Sequence, residues 1–159
     1  MEDPQPIAIR IFVDADACPV KDEVYRVAER YGLKVFVVAN SYMNVPRSEL
    51  IERVIVPEGP DVADGWIADR ATGHDIVITA DVPLAGRCVK KGAAVLSPTG
   101  KVFDGDSIGM ALATRDLMTD LRSAGAVTRG PPPLTRQDIS RFLSALDLAV
   151  VRTKRKMGL

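Results

Sequence analysis

Short runs of Val, Ile and other apolar residues alternate along the first two thirds of the chain with segments whose apolar positions recur every three to four residues. Five runs read as strands: Ile7 to Val13, Lys34 to Ala39, Arg53 to Val56, Asp75 to Thr79 and Ala93 to Leu96. Their near-continuous hydrophobicity suits strands buried on both faces of a parallel sheet. Between them, Pro19 to Tyr31 sets Val20, Val24, Val27 and Ala28 at helical spacing, with Pro19 read as a first-turn proline and Gly32 as the stop. Asp61 to Thr72 and Pro83 to Lys91 read as shorter helices, the second closed by Gly92. This alternation predicts a three-layer α/β/α domain around a mostly parallel sheet of about five strands.

After the fifth strand the pattern changes. Ser107 to Ala124 carries Ile108, Leu112 and Leu121 on an amphipathic stripe that Gly125 ends, and Gly130-Pro131-Pro132-Pro133 reads as a stiff extended connector. Thr135-Arg136-Gln137-Asp138 resembles a capping box with Asp in place of Glu, opening a last helix over Arg136 to Val150. The remainder after residue 104 is too small and irregular to bury a core of its own, so its helices are expected to pack on the domain. The chain therefore divides into an α/β core (6–104), C-terminal helices (105–150) and a basic tail (151–159) within a single domain. Arg152, Lys154, Arg155 and Lys156 in that tail read as a frayed, solvated end.

Composition narrows the function classes. With 159 residues, 47% of them hydrophobic, the chain can bury a substantial core, and no apolar run approaches the ~20 residues of a membrane helix. The acidic, proline-bearing start, Met1 to Pro6, has no apolar secretory region, so a cytoplasmic protein without a membrane partner is expected. Lys plus Arg and Asp plus Glu both number 21, a balance that argues against a protein that merely coats nucleic acid and leaves a nuclease open. Cys18 and Cys88 form neither a metal-ligand spacing nor a disulfide framework. The one histidine, His74, falls in a turn-like stretch and reads as an exposed loop residue.

The chemistry concentrates in aspartates just past the strands. The first strand runs into Asp14-Ala15-Asp16-Ala17-Cys18-Pro19, and in open α/β sheets ligands bind outside the carboxyl ends of the strands. If the strand persists, Asp14 and Asp16 point the same way. Capping of the next helix accounts for one of them and leaves the other. The third strand leads to Asp61 and Asp64, spaced as neighbours in a first helical turn, and the fourth to Asp81. Taken singly, Asp61 and Asp81 are helix caps and Asp64 a first-turn acid. Jointly, five carboxylates at one edge repel unless a cation neutralises them, and an oxygen-only donor set selects Mg²⁺ or Mn²⁺. Asn40 and Ser41, after the second strand, are candidates to orient water or a phosphate oxygen, and Arg47 and Arg115 to clamp phosphate.

The segments Val13 to Lys21, Val38 to Ser41, Asp61 to Asp64, Ile76 to Ala85, Gly92-Ala93 with Leu96 to Pro98, and Gly130 to Pro132 together resemble the YaiI/YqxD family of uncharacterised bacterial proteins. The resemblance covers nearly the whole chain and implies a PIN-like domain, whose nuclease members bind divalent metal through carboxylates at this sheet edge. It implies Asp14, Asp16, Asp61, Asp64 and Asp81 as metal ligands, with Asp14, Asp16 and Asp81 catalytic, and single-stranded RNA or DNA as partner. Gly65 departs from the pattern, since relatives often carry a second acid there, which leaves the number of ligands open. A haloacid-dehalogenase-like phosphatase is the rival enzyme, because Asp14-Ala15-Asp16 mimics its nucleophile and acid-base pair. Such enzymes carry a lysine before the last acidic motif, and none lies between Ser41 and Asp81. A non-catalytic nucleic-acid or protein binding module on the same fold is the third reading.

Overall fold

The computed structural model describes residues 8–59, 61–110, 113 and 134–158. Six strands form one sheet: β1 (Arg10–Asp14), β2 (Lys34–Ala39), β3 (Ile51–Ile55), β4 (Asp75–Ile78), β5 (Ala94–Leu96) and β6 (Val102–Phe103). Their order is β3-β2-β1-β4-β5-β6, parallel throughout except for β6, which pairs antiparallel with β5. The five expected strands are all present, and the sheet is mostly parallel as their pattern predicts. The sixth, two residues long, is too short to leave a periodic signal.

Side chains on each central strand alternate between two apolar clusters. Ile11 and Val13 of β1 and Ile76 and Ile78 of β4 pack with α1 (Lys21–Tyr31) and with the C-terminal helix on one face. Phe12 and Val77, one residue out of step, pack on the other with α2 (Val62–Arg70) and α3 (Val82–Lys90). This period-two division is what a strand covered on both sides imposes, and it makes the three layers. Winding reverses at β1: β2 and β3 lie to one side, β4 and β5 to the other, so α1 and α3 fall on opposite faces.

α1 starts at Lys21 with Val20 at its N-cap and no side-chain cap, so Pro19 stands ahead of the helix instead of in its first turn. A helix α4 runs over 105–110 among the described residues, starting earlier than the amphipathic pattern indicates. The predicted end of that helix, Gly125, the proline connector and Arg115 lie outside the described residues.

The last helix, α5, spans Arg136–Lys156 and opens on the expected capping box, with Thr135 Oγ1 accepting from the Asp138 amide at 3.0 Å and Asp138 Oδ2 from the Thr135 amide at 3.0 Å. It is longer than predicted. The supposed frayed tail is its final turns: Thr153 is buried, Met157 packs against the core, and Lys156 Nζ donates to the Gly73 and Gly92 carbonyls at 3.1 Å each. Basic residues also suit a helix C-terminus, where the free carbonyls concentrate negative charge.

Candidate functional site

The reversal of winding between β1 and β4 leaves a crevice at their carboxyl ends, where chains leaving adjacent strands turn to opposite faces. Asp14 closes β1 there, and Thr79 and Asp81 follow β4. Asp64 reaches the same edge from the first turn of α2, the helix that leads into β4.

Thr79 ties two of these groups together. Its buried hydroxyl donates to Asp14 Oδ2 at 2.8 Å and accepts from the Asp81 amide at 2.9 Å. Asp81 is the N-cap of α3, its Oδ1 accepting from the Leu84 amide at 2.9 Å, with Pro83 in the first turn. The capping reading of Asp81 is therefore correct, and it also fixes the carboxylate beside Asp14. Thr79 was not among the predicted site residues. A threonine two residues before an aspartate at a strand end was its signal, hidden by reading Thr79 as the last residue of β4.

Capping does not account for the first pair. The strand ends at Asp14, and Ala15–Ala17 form a single 3₁₀ turn, so Asp14 and Asp16 do not share an extended face. Neither caps α1. Asp16 is exposed, with Oδ2 accepting from the Asn40 amide at 3.3 Å, which ties the turn to the end of β2. Lys21 Nζ braces the turn from below by donating to the Cys18 carbonyl at 2.7 Å.

The carboxylates sense one another. Burial, with the charges of Asp81 and Asp16 in support, pushes Asp14 above the usual carboxylate range against the pull of its bond from Thr79. Asp64 rises to about 6, first through burial, then through the charges of Asp81, Asp14 and Asp61, with Arg87 opposing. Asp14, Asp64 and Asp81 thus form the centre, and Asp16 and Asp61 its margins. Asp61 occupies the N-cap position of α2 in a left-handed conformation (φ 67°) and makes no side-chain cap bond.

These donors are all oxygens with negative charge in excess, the chemistry of a hard-cation site. They are not a closed cage: among the described residues no three His, Cys, Asp or Glu side chains are gathered as ligands of one ion. A hydrated cation held by one or two carboxylates, the habit of Mg²⁺, would not require such a cage.

The remaining candidates separate. Asn40 meets the site through its backbone amide, and Ser41 lies exposed just beyond it. Arg47 lines a polar cleft beside β3. Both thiols are buried, and burial raises Cys18 and takes Cys88 to about 11, the environment of a structural thiol. His74 is half-buried, not exposed, and its Nδ1 is enclosed with no hydrogen-bond partner among the described residues. Among the described residues no helix is long and apolar enough to cross a membrane.

The family described as uncharacterised, YaiI/YqxD, matches residues 12–152. A UPF0178 protein of Gluconacetobacter diazotrophicus is 61% identical over 148 residues, covering 93% of this chain and 96% of the relative. One from Gluconobacter oxydans is 63% identical over 150 residues, 94% of this chain and 86% of its own. A third, from Azorhizobium caulinodans, is 59% identical over 151 residues, 95% of each. No solved structure matches the chain. With the family spanning most of its length and relatives near 60% identity over almost all of it, the chain belongs to the uncharacterised YaiI/YqxD family.

Proposed function

We propose that the protein is a divalent-metal-dependent hydrolase of phosphodiesters, acting on single-stranded nucleic acid and foremost on RNA. The observation that carries this reading is the excess of negative charge at the β1/β4 crevice, expressed in the rise of Asp64 to about 6. A fold does not assemble half-buried, mutually repelling carboxylates at its ligand-binding edge without cost, and a cation there offsets the repulsion. Asp14 and Asp81 would hold it, with Asp16, Asp61 and Asp64 completing the shell or positioning water. A bound Mg²⁺ or Mn²⁺ supplies Lewis acidity toward a phosphodiester and acidifies water. Thr79 fixes the rotamer of Asp14 and the backbone that presents Asp81.

The phosphatase reading loses support, because its two aspartates would have to face one substrate and Asp16 is turned to the Asn40 amide. A binding module is favoured by one observation, the lack of a three-carboxylate ligand group among the described residues. Incubation of the purified protein with Mn²⁺ and mixed RNA and DNA oligonucleotides, beside the Asp14→Asn variant, separates the two. Cleavage by wild type alone supports hydrolysis. Equal cleavage by both assigns the activity to a contaminant, and none by either favours the module.

A further inference from the structure

The loop between β2 and β3 leaves the carboxyl edge just past Asn40, whose amide is bonded to Asp16, and returns along the outer strand of the sheet. Met43, Val45 and Leu50 of this loop pack on the core. Tyr42 does not: it is 66% exposed, the largest exposure of any aromatic among the described residues. Its ring is nevertheless held in place. The Arg53 guanidinium lies 4.2 Å from the ring centroid, and Arg53 Nη1 donates to the Met43 carbonyl at 3.3 Å. A cation over one face strengthens and orders the ring, so the exposure falls on the other face and the hydroxyl edge.

The same two residues line a polar cleft of about 530 Å³ with Asn44, Arg47, Ser48 and Glu52. Its two arginines are exposed, and its one acid, Glu52, lies 4.0 Å from Lys34. A rigid aromatic face beside arginines, with small hydrogen-bonding groups between, matches what an unpaired nucleotide presents: a π-face, a phosphate and polar base edges. A protein partner would call for an exposed apolar centre, whereas the apolar members of this lining are Pro46, the half-buried Val45 and the buried Ile51, set among Asn44, Arg47, Ser48, Glu52 and Arg53.

We propose that Tyr42, backed by Arg53, is a stacking platform for an unpaired base of a single-stranded polynucleotide, with Arg47 taking an adjacent phosphate. The proposal rests on the phosphodiesterase reading and extends it, because the loop that carries Tyr42 starts at Asn40, whose amide is bonded to Asp16. Duplex nucleic acid is excluded from the platform, since its bases are already stacked on one another. Sequence preference should be weak, as every base offers a π-face.

The test is fluorescence anisotropy in EDTA and low salt, with labelled oligouridylate, the matching oligothymidylate, and a duplex of equal length. Tyr42→Ala should weaken single-strand binding roughly ten- to a hundredfold, with Tyr42→Trp retaining it. Arg47→Gln should lower the slope of log affinity against log salt by about 0.7, the share of one phosphate on a single strand. The two single strands report whether the sugar matters. Wild-type binding that is absent, or equal for duplex and single strand, overturns the platform, as does Tyr42→Ala within about twofold of wild type. Circular dichroism of each variant guards against loss of fold, which an exposed position does not predict.

The chelator keeps this readout apart from hydrolysis. Tyr42-dependent binding without cleavage by the metal-loaded wild type upholds the platform and overturns the phosphodiesterase. Cleavage with binding indifferent to Tyr42 does the reverse.

Discussion

Asp75 and Asp14 lie at opposite ends of the two central strands and show two ways of placing a carboxylate in a sheet. Asp75 opens β4 at the amino edge, where it is 1% exposed and fully engaged. Arg10, its register partner on β1, donates from Nε at 3.0 Å and Nη2 at 2.9 Å, and Thr72 adds its amide at 2.8 Å and hydroxyl at 3.0 Å. Asp14 closes β1 at the carboxyl edge, where it receives the Thr79 hydroxyl while the neighbouring charges are those of Asp81 and Asp16. The first carboxylate is neutralised by the protein itself and is structural. Among the described residues the second is left in deficit, and such a deficit is what a ligand can fill.

The largest effect that separates these ends is on catalysis. Asp14→Asn should lower Mn²⁺-dependent cleavage by on the order of a hundredfold or more with the fold intact, since it removes charge from the proposed cation site. Removal of Arg10 should do the opposite. Arg10→Met leaves Asp75 buried beside Thr72 alone and should cost about 3 kcal/mol in urea denaturation, while activity per folded molecule stays unchanged. If Arg10→Met abolished activity without destabilising, or Asp14→Asn unfolded the protein, the division of roles would collapse.

Thr79→Val belongs between them. It strips a hydrogen bond from both Asp14 and the Asp81 amide, and should cost about 1–2 kcal/mol while reducing cleavage less than Asp14→Asn does. Thr79→Ser should restore both, because the hydroxyl and not the methyl makes the link.

The parts of the fold that could be read in the chain are those whose signal is local. The alternation in Ile11-Phe12-Val13 and Ile76-Val77-Ile78 states that both faces of the sheet are covered, and the Thr135/Asp138 box marks where α5 begins. The aspartates past the strands were legible as a set, because strand ends in a parallel sheet share one edge. What they do individually was not. Whether Asp14 and Asp16 face together depends on where β1 stops, a matter of one residue, and the 3₁₀ turn at Ala15–Ala17 decides it. Thr79 acts through contacts to β1, 65 positions away in sequence, which no spacing encodes. The docking of the basic end of α5 is illegible for the same reason: it depends on carbonyls of Gly73 and Gly92 that meet it only in the folded chain.

The smallest effect gives the sharpest test, because its sign depends on the cation. With Asp64 at about 6 in the folded protein against an unfolded value near 3.8, the native state binds the proton more tightly between those limits. Stability without divalent metal should therefore rise as pH falls from about 6 to about 4, and be lowest above 6, where Asp64 is ionised among other carboxylates. Asp64→Asn removes that penalty. Discounted for solvent screening, the variant should be more stable than wild type at pH 7 by on the order of 1 kcal/mol, an advantage that vanishes near pH 4. Saturating Mg²⁺ should reverse the order at pH 7, because the carboxylate that repels its neighbours in the free protein then attracts the ion and the substituted amide does not. Thermal melts of both proteins at pH 4 and pH 7, with Mg²⁺ and with EDTA, read all of this. A variant that stays more stable than wild type at pH 7 in the presence of Mg²⁺ would show that the crevice holds no cation at Asp64 and that its charge deficit answers to some other ligand.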